Sequence, residues 1–162
     1  MADAVIDVRG LVTTLGGHSI HRDLDLSVER GEVVALIGGS GSGKSVLLRE
    51  IIGLLRPQAG RIELFGQPVL DCGPEQMNRL RQRFGVLFQD GALFSSMNVE
   101  DNVATPLFEH TDLPHATCRQ LARLKLALAG LPPDAAKKRP SELSGGMRKR
   151  VALARALALD PE

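Results

Sequence analysis

The sequence predicts an α/β fold in which antiparallel strands lead into a phosphate-binding core and a helical subdomain follows. Three observations predict it. Gly38-Gly39-Ser40-Gly41-Ser42-Gly43-Lys44-Ser45 fits G-x-x-x-x-G-K-[ST], the phosphate-binding loop. The loop sits between Val33-Val34-Ala35-Leu36-Ile37, an apolar run suited to a buried parallel strand, and Val46, Leu47, Leu48, Ile51, Ile52, Leu54 and Leu55 near helical spacing. From Asn98 onward the pattern turns helical, so an all-helical stretch separates the α/β pieces.

In chain order, Val5–Val12 and Ser19–Val28 read as strands joined at Gly16-Gly17. In the second, Ile20, Leu24, Leu26 and Val28 interleave with polar residues, so one face is wet. The loop helix, starting near Lys44, stops before Arg56-Pro57-Gln58-Ala59-Gly60, a breaker. Arg61–Phe65 is a third strand, ended by Gly66-Gln67-Pro68. Gly73–Arg83 is expected to be helical, with Pro74 in its first turn, and Phe84–Phe88 reads as a buried strand. Asn98 can cap Val99–Leu107, Pro114–Ala129 is amphipathic with Leu121, Leu124 and Leu128 on one face and Arg119 and Arg123 elsewhere, and Leu131-Pro132-Pro133 stops it. After the basic link Lys137-Lys138-Arg139-Pro140, Met147–Leu159 reads as the last helix.

The chemistry follows from the loop. Its four glycines let the backbone curl against an anion, and the helix behind it directs unsatisfied N–H groups and a positive dipole end to the same place. Lys44 adds a mobile charge for phosphates and Ser45 a hydroxyl for Mg²⁺. Leu143-Ser144-Gly145-Gly146-Met147 is a second phosphate-suited feature: a hydroxyl and two glycines before a helix. Alone, that pattern is an ordinary cap. Its place after the phosphate loop and a strand ending at Gln89 sets it apart.

Composition bounds the rest. The chain has 162 residues, 43% hydrophobic and 24% charged, with a net charge of +1. That length is enough for one domain burying roughly 70% of its unfolded surface. Lys137–Arg139 and Arg148–Arg150 are basic, but without interleaved aromatics they read as solvated faces, and no nucleic-acid partner is expected. No apolar run spans a bilayer and Met1–Gly10 has no signal-like region, so a cytoplasmic chain is expected. Cys72 and Cys118 lack metal spacing and read as reduced thiols.

Taken together, Gly38–Ser45, Gln89 and Leu143–Met147 resemble, in order, the Walker A loop, glutamine loop and signature motif of the ATP-binding subunits of ABC transporters. The resemblance runs from Val5 to Glu162. Leu87–Val99 and Pro140–Met147 are more particular, and resemble the ATPases of Mla-type phospholipid-trafficking, or organic-solvent-resistance, systems. The resemblance implies a P-loop NTPase fold, ATP and Mg²⁺ as cofactors, and ATP hydrolysis coupled to a permease. It implies that Gly38, Gly39, Ser40, Gly41, Ser42, Gly43, Lys44 and Ser45 hold the phosphates, with Ser45 and Gln89 on the metal. Ser144, Gly145 and Gly146 would contact ATP held by a second subunit in a head-to-tail dimer. A membrane permease would dock near Gln89–Leu107, placing the chain on the inner face of the cell membrane. The implied organisation is one partial ABC ATPase domain, with the strands and α/β core over 1–90, the helical subdomain over 91–145 and the signature helix over 146–162. Two other readings remain: a soluble ABC ATPase unconnected with transport, or a nucleotide-binding remnant.

The sequence departs from the family's pattern at three places. Leu15 stands where many members stack an aromatic on adenine, and the chain has no Trp or Tyr. His18 and His21 are alternatives there, although both read as surface histidines on a strand. Met147 replaces the commoner glutamine. The sequence reads to Ala158-Leu159-Asp160-Pro161-Glu162, where the family continues into the Walker B strand, so the Walker B aspartate, catalytic glutamate and switch histidine are not among these residues. Glu142 and Asp160 read as solvated and no catalytic residue is identified. The expectation is weak ATP binding without turnover, and strand edges open to water.

Overall fold

Alternating apolar and polar residues on either side of Gly16-Gly17 make a long antiparallel hairpin of β1 (Ala4–Leu15) and β2 (His18–Glu29). The computed structural model describes residues 4–89 and 91–162. On the other side of β1 lies antiparallel β3 (Ala59–Leu64), with Ile6 opposite Leu64 and Val8 opposite Ile62. The two-residue β4 (Gln67–Pro68) completes the order β2-β1-β3-β4. Helix α1 (Lys44–Ile51) packs on β3 and buries Leu47, Glu50 and Ile51. Val8, Leu11 and Ile62 are among the most deeply buried side chains here. Helix α2 (Pro74–Arg81) follows, with Pro74 at its start as expected.

The chain divides into two units, Met1–Leu80 and Arg81–Glu162. The second is built on α3 (Val99–His110), α4 (His115–Leu128) and α5 (Gly145–Ala156), with 3₁₀ turns at Pro133–Lys137 and Pro140–Glu142. Asn98 caps α3 as expected, its Oδ1 accepting from the Asp101 N–H at 2.7 Å. Spacing by four puts Val99, Val103 and Leu107 of α3 on one stripe, and Cys118, Ala122 and Leu126 of α4 on another. Both stripes, with Val151 and Ala154 of α5, form one core. Arg119 Nε donates to Asp101 at 2.8 Å across the α3–α4 hairpin, and this pairing raises the Arg119 pKa from its ordinary value. Cys72 and Cys118 are both free thiols. Among the described residues no helix is long and apolar enough to cross a membrane.

Besides the face of α4, where Leu124 is 53% and Leu128 74% exposed and Cys118, Ala122 and Leu126 are buried instead, three expectations are corrected. Val33–Ile37 forms no strand: Val33 is 95% exposed and Ile37 94%. A continuous apolar run becomes a buried strand only between hydrogen-bonding neighbours and under covering layers, and no ladder partner is present among the described residues. Phe84–Phe88 forms no strand either, for the same want of a ladder. It runs against the end of α5 instead, so closely that a Cβ on Gly85 would stand 2.1 Å from the Ala156 carbonyl oxygen. The third correction is His21. It is buried, because α1 covers the part of β2 that holds it, whereas His18 is exposed as expected.

Exposed residues with high strand propensity are templates for association. The 162-residue chain is therefore expected to self-associate through Val33–Ile37. Ile37→Lys should raise the monomer fraction seen by light scattering. A monodisperse unsubstituted monomer would contradict this.

Candidate nucleotide-phosphate site

The loop between β2 and α1 is shaped by glycine. Gly41 (φ 82) and Gly43 (φ 89) adopt the left-handed region, which a side chain disfavours, and the Ser42 N–H turns back to the Gly39 carbonyl at 3.3 Å. Gly43 is the N-cap of α1; no side chain caps this end, and the Leu47 N–H bonds the Gly43 carbonyl at 2.9 Å. The start of α1 thus keeps the unsatisfied N–H groups that suit an anion.

Lys44 folds back over the loop. Its Nζ donates to Gly38 O at 2.7 Å, Gly39 O at 2.8 Å and the Ser42 hydroxyl at 3.0 Å, which uses all three ammonium hydrogens. The ammonium group is thus held against the loop's own oxygens. Ser45 is exposed on the first turn of α1. Gly38, Gly39, Ser40, Gly41, Ser42, Gly43, Lys44 and Ser45 therefore form one local arrangement in the first unit.

The second unit holds Gln89 and the signature residues. Gln89 is exposed in the turn closed by Gly91 N–H to Phe88 O at 2.9 Å; Asp90, inside the stretch Leu87–Val99, lies outside the described residues. Ser144 is the N-cap of α5, its Oγ accepting from Met147 N–H at 3.3 Å, and Ser144, Gly145 and Gly146 are all exposed. This is a second helix start presented to solvent. Arg155, near the other end of α5, ties the glutamine segment to the helix. Its guanidinium donates to Gly91 O at 2.8 Å and Ala92 O at 2.9 Å and lies over the Phe94 ring, 5.6 Å from its centroid. Burial draws the Arg155 pKa below its ordinary value, though arginine stays charged.

Neither candidate carboxylate beside the signature helix is held in a site. Glu142 accepts from Arg139 N–H at 2.6 Å in an exposed 3₁₀ turn, and Asp160 is exposed and pairs with Lys125. Two features were missed in the sequence. Arg155 looked like one more polar helix residue and left no signal. Glu50 did leave one: it interrupts the apolar stripe of α1 between Leu47 and Ile51, where a buried side chain is expected.

The order and local geometry of these motifs can be set against known proteins. Residues 21–162 match the family described as ABC transporter. The chain belongs to this family. It is 51% identical over 157 residues to a probable ribonucleotide transport ATP-binding protein, mkl, of Mycobacterium tuberculosis, covering 97% of this chain and 44% of that protein. It is 45% identical over 158 residues to the intermembrane phospholipid transport system ATP-binding protein MlaF of Escherichia coli K12, covering 98% of this chain and 58% of the relative. The chain thus spans about half the length of the curated relatives it matches. Among solved structures, the dimeric ATP-binding cassette MJ0796 in a post-hydrolysis state with ADP and Pi superposes with a TM-score of 0.87 at 29% identity, covering 96% of this chain and 70% of the other. The α/β P-loop fold of an ABC cassette is therefore the fold of this chain.

Proposed function

We propose that this chain is the ATP-binding part of a Mla-type transport ATPase, coupling ATP binding and hydrolysis to a membrane permease that moves phospholipid. The observation that carries the reading is the loop Gly38–Ser45, with left-handed glycines and Lys44 folded over it at the uncapped start of α1. Likeness to proteins named for phospholipid transport supports the cargo class, as do the stretches Leu87–Val99 and Pro140–Met147. In this reading Lys44 and the loop amides hold the β- and γ-phosphates. Ser45 and Gln89 offer hard oxygens, the donor chemistry that Mg²⁺ selects, and the ion when bound neutralises phosphate charge. Ser144, Gly145 and Gly146 present a helix start to the ATP of a second subunit, and likeness to dimeric cassettes supports that assembly. The permease docks on Gln89–Leu107, on the cytoplasmic side of the inner membrane.

In-line hydrolysis needs a group that orients the attacking water. Glu142 and Asp160 are exposed and engaged elsewhere. Residues 1–162 alone are therefore expected to bind ATP without cleaving it. A single-turnover assay in which these residues hydrolyse ATP in a Lys44-dependent way would refute that expectation. The transport reading is tested by affinity capture of the tagged chain from detergent-solubilised membranes. Recovery of an integral-membrane permease supports it. Recovery of soluble partners alone overturns it.

A further inference from the structure

Glu50 is fully buried on the face that α1 turns to the sheet, and two further polar residues are buried with it: His21 on β2 and Thr13 on β1. Thr13 Oγ1 donates to Glu50 Oε1 at 2.6 Å. Glu50 Oε2 stands 3.3 Å from His21 Nε2. That contact is short enough for an ion pair but is not aligned as a hydrogen bond, and neither atom has a hydrogen-bond partner among the described residues. The Cε1–Nδ1 edge of the imidazole reaches the phosphate loop. A Cβ on Gly43 would lie 2.7 Å from His21 Cε1, 3.4 Å from His21 Nδ1 and 2.8 Å from Ile20 Cγ2. Gly43 directly precedes Lys44 and its carbonyl accepts the first bond of α1. The imidazole therefore stands between the glycine that aims Lys44 and a carboxyl farther along the same helix.

Leucines at positions 21 and 50 would fill such a space with two fewer buried ionisable groups, leaving only the Thr13 hydroxyl without its partner. Burying a carboxyl and an imidazole is the costlier solution, and what it adds is direction, since polar pairs fix geometry where apolar contacts slide. We propose that His21 and Glu50, steadied by Thr13, are positioning residues for the phosphate loop: the pair seats Gly43 in its left-handed turn and so aims Lys44 at the nucleotide's outer phosphates. The proposal rests on reading Gly38–Ser45 as the ATP phosphate site. It gives the β1–β2 hairpin a role in phosphate recognition as well as support.

The test compares the unsubstituted chain with the His21→Leu/Glu50→Leu double variant and with the near-isosteric Glu50→Gln. Thermal midpoints are recorded, and ATP and AMP affinities are measured by competition against a fluorescent ATP analogue. The double variant is expected to stay folded with a midpoint near that of the unsubstituted chain, the loss of the Thr13 bond offsetting the gain from apolar packing, to lose roughly tenfold in ATP affinity, and to change by less than about twofold for AMP. Packing alone would leave ATP affinity unchanged in a folded double variant, or lower ATP and AMP affinities equally; either result overturns the proposal. If the double variant does not fold, Glu50→Gln decides, since unchanged ATP affinity there overturns it too. An unsubstituted chain that binds no ATP would remove the loop reading and the proposal together. Binding by the unsubstituted chain with no selective loss in the variants removes the proposal alone.

Discussion

Lys44→Ala is expected to weaken ATP binding by about 1.5–3 kcal/mol, the scale of a hydrogen bond to a charged group, or roughly 10- to 150-fold in Kd. The direction follows from where the ammonium group lies. Its three donors close on Gly38 O, Gly39 O and Ser42 Oγ, so it is held at the loop before any phosphate arrives and has only to exchange one of these bonds for a phosphate oxygen. The same contacts predict only a small effect on the stability of the chain itself. They are exposed, so their loss should move the thermal midpoint little even as nucleotide affinity collapses. Calorimetric titration of ATP into the two proteins, with a melting curve for each, separates the outcomes. Equal affinities would mean that the loop is not the site. Parallel loss of affinity and of fold would mean that Lys44 acts through structure. Lys44→Arg should not restore binding, because a planar fork cannot occupy the position of a compact ammonium group within the turn.

How much of this site could be read in advance depended on whether its parts are local. The phosphate loop, the Asn98 cap and the Ser144 cap are each set by a few consecutive residues, and each stands where its pattern placed it. The helices of the second unit were legible as helices, but only α3 shows its buried face in large apolar residues; on α4 the leucines Leu121, Leu124 and Leu128 suggest one face, while the small Cys118 and Ala122 with Leu126 take the core side and Leu124 and Leu128 stay exposed. Val33–Ile37 and Phe84–Phe88 failed for the complementary reason. Their apolar runs specify burial, but a strand exists only where another strand supplies the ladder, and that partner is no property of the run itself. His21 failed through a long-range contact. Its own strand alternates as a half-wet strand should, and only α1, from residues more than twenty positions later, puts it under cover. Whether Gln89 and Ser144–Gly146 serve ATP is a matter of assembly, which no local pattern contains.

The other large effect expected is on the segment proposed to receive the permease. Asn102→Ala should cost about 2–4 kcal/mol of stability, because Asn102 is fully buried and its amide replaces the secondary structure that residues 94–98 lack. Asn102 Oδ1 accepts from Phe94 N–H at 2.7 Å, while Nδ2 donates to Phe94 O at 3.0 Å and Asn98 O at 2.9 Å. One side chain thereby closes a loop on the start of α3 as a strand neighbour would, with both donors and the acceptor engaged. Alanine removes these bonds and leaves the Phe94 amide and carbonyl to find water in a part-buried place. Arg155 grips the same segment at Gly91 O and Ala92 O from α5, so the two anchors divide the work: Arg155 the beginning, Asn102 the end. Because both also touch Phe94, Asn102 at its backbone and Arg155 over its ring, their effects should couple rather than simply add. Urea denaturation of Asn102→Ala, Arg155→Leu and the double variant gives the stabilities, and amide exchange at Phe94 localises the loss. Asn102→Asp is the sharper probe. It keeps the size and the Oδ1 acceptor but turns the donor toward Phe94 O and Asn98 O into a second acceptor, so it should be about as damaging as alanine. An Asn102→Asp protein as stable as the unsubstituted chain would show that the segment is held by packing, and that its shape at the proposed docking surface does not depend on this amide.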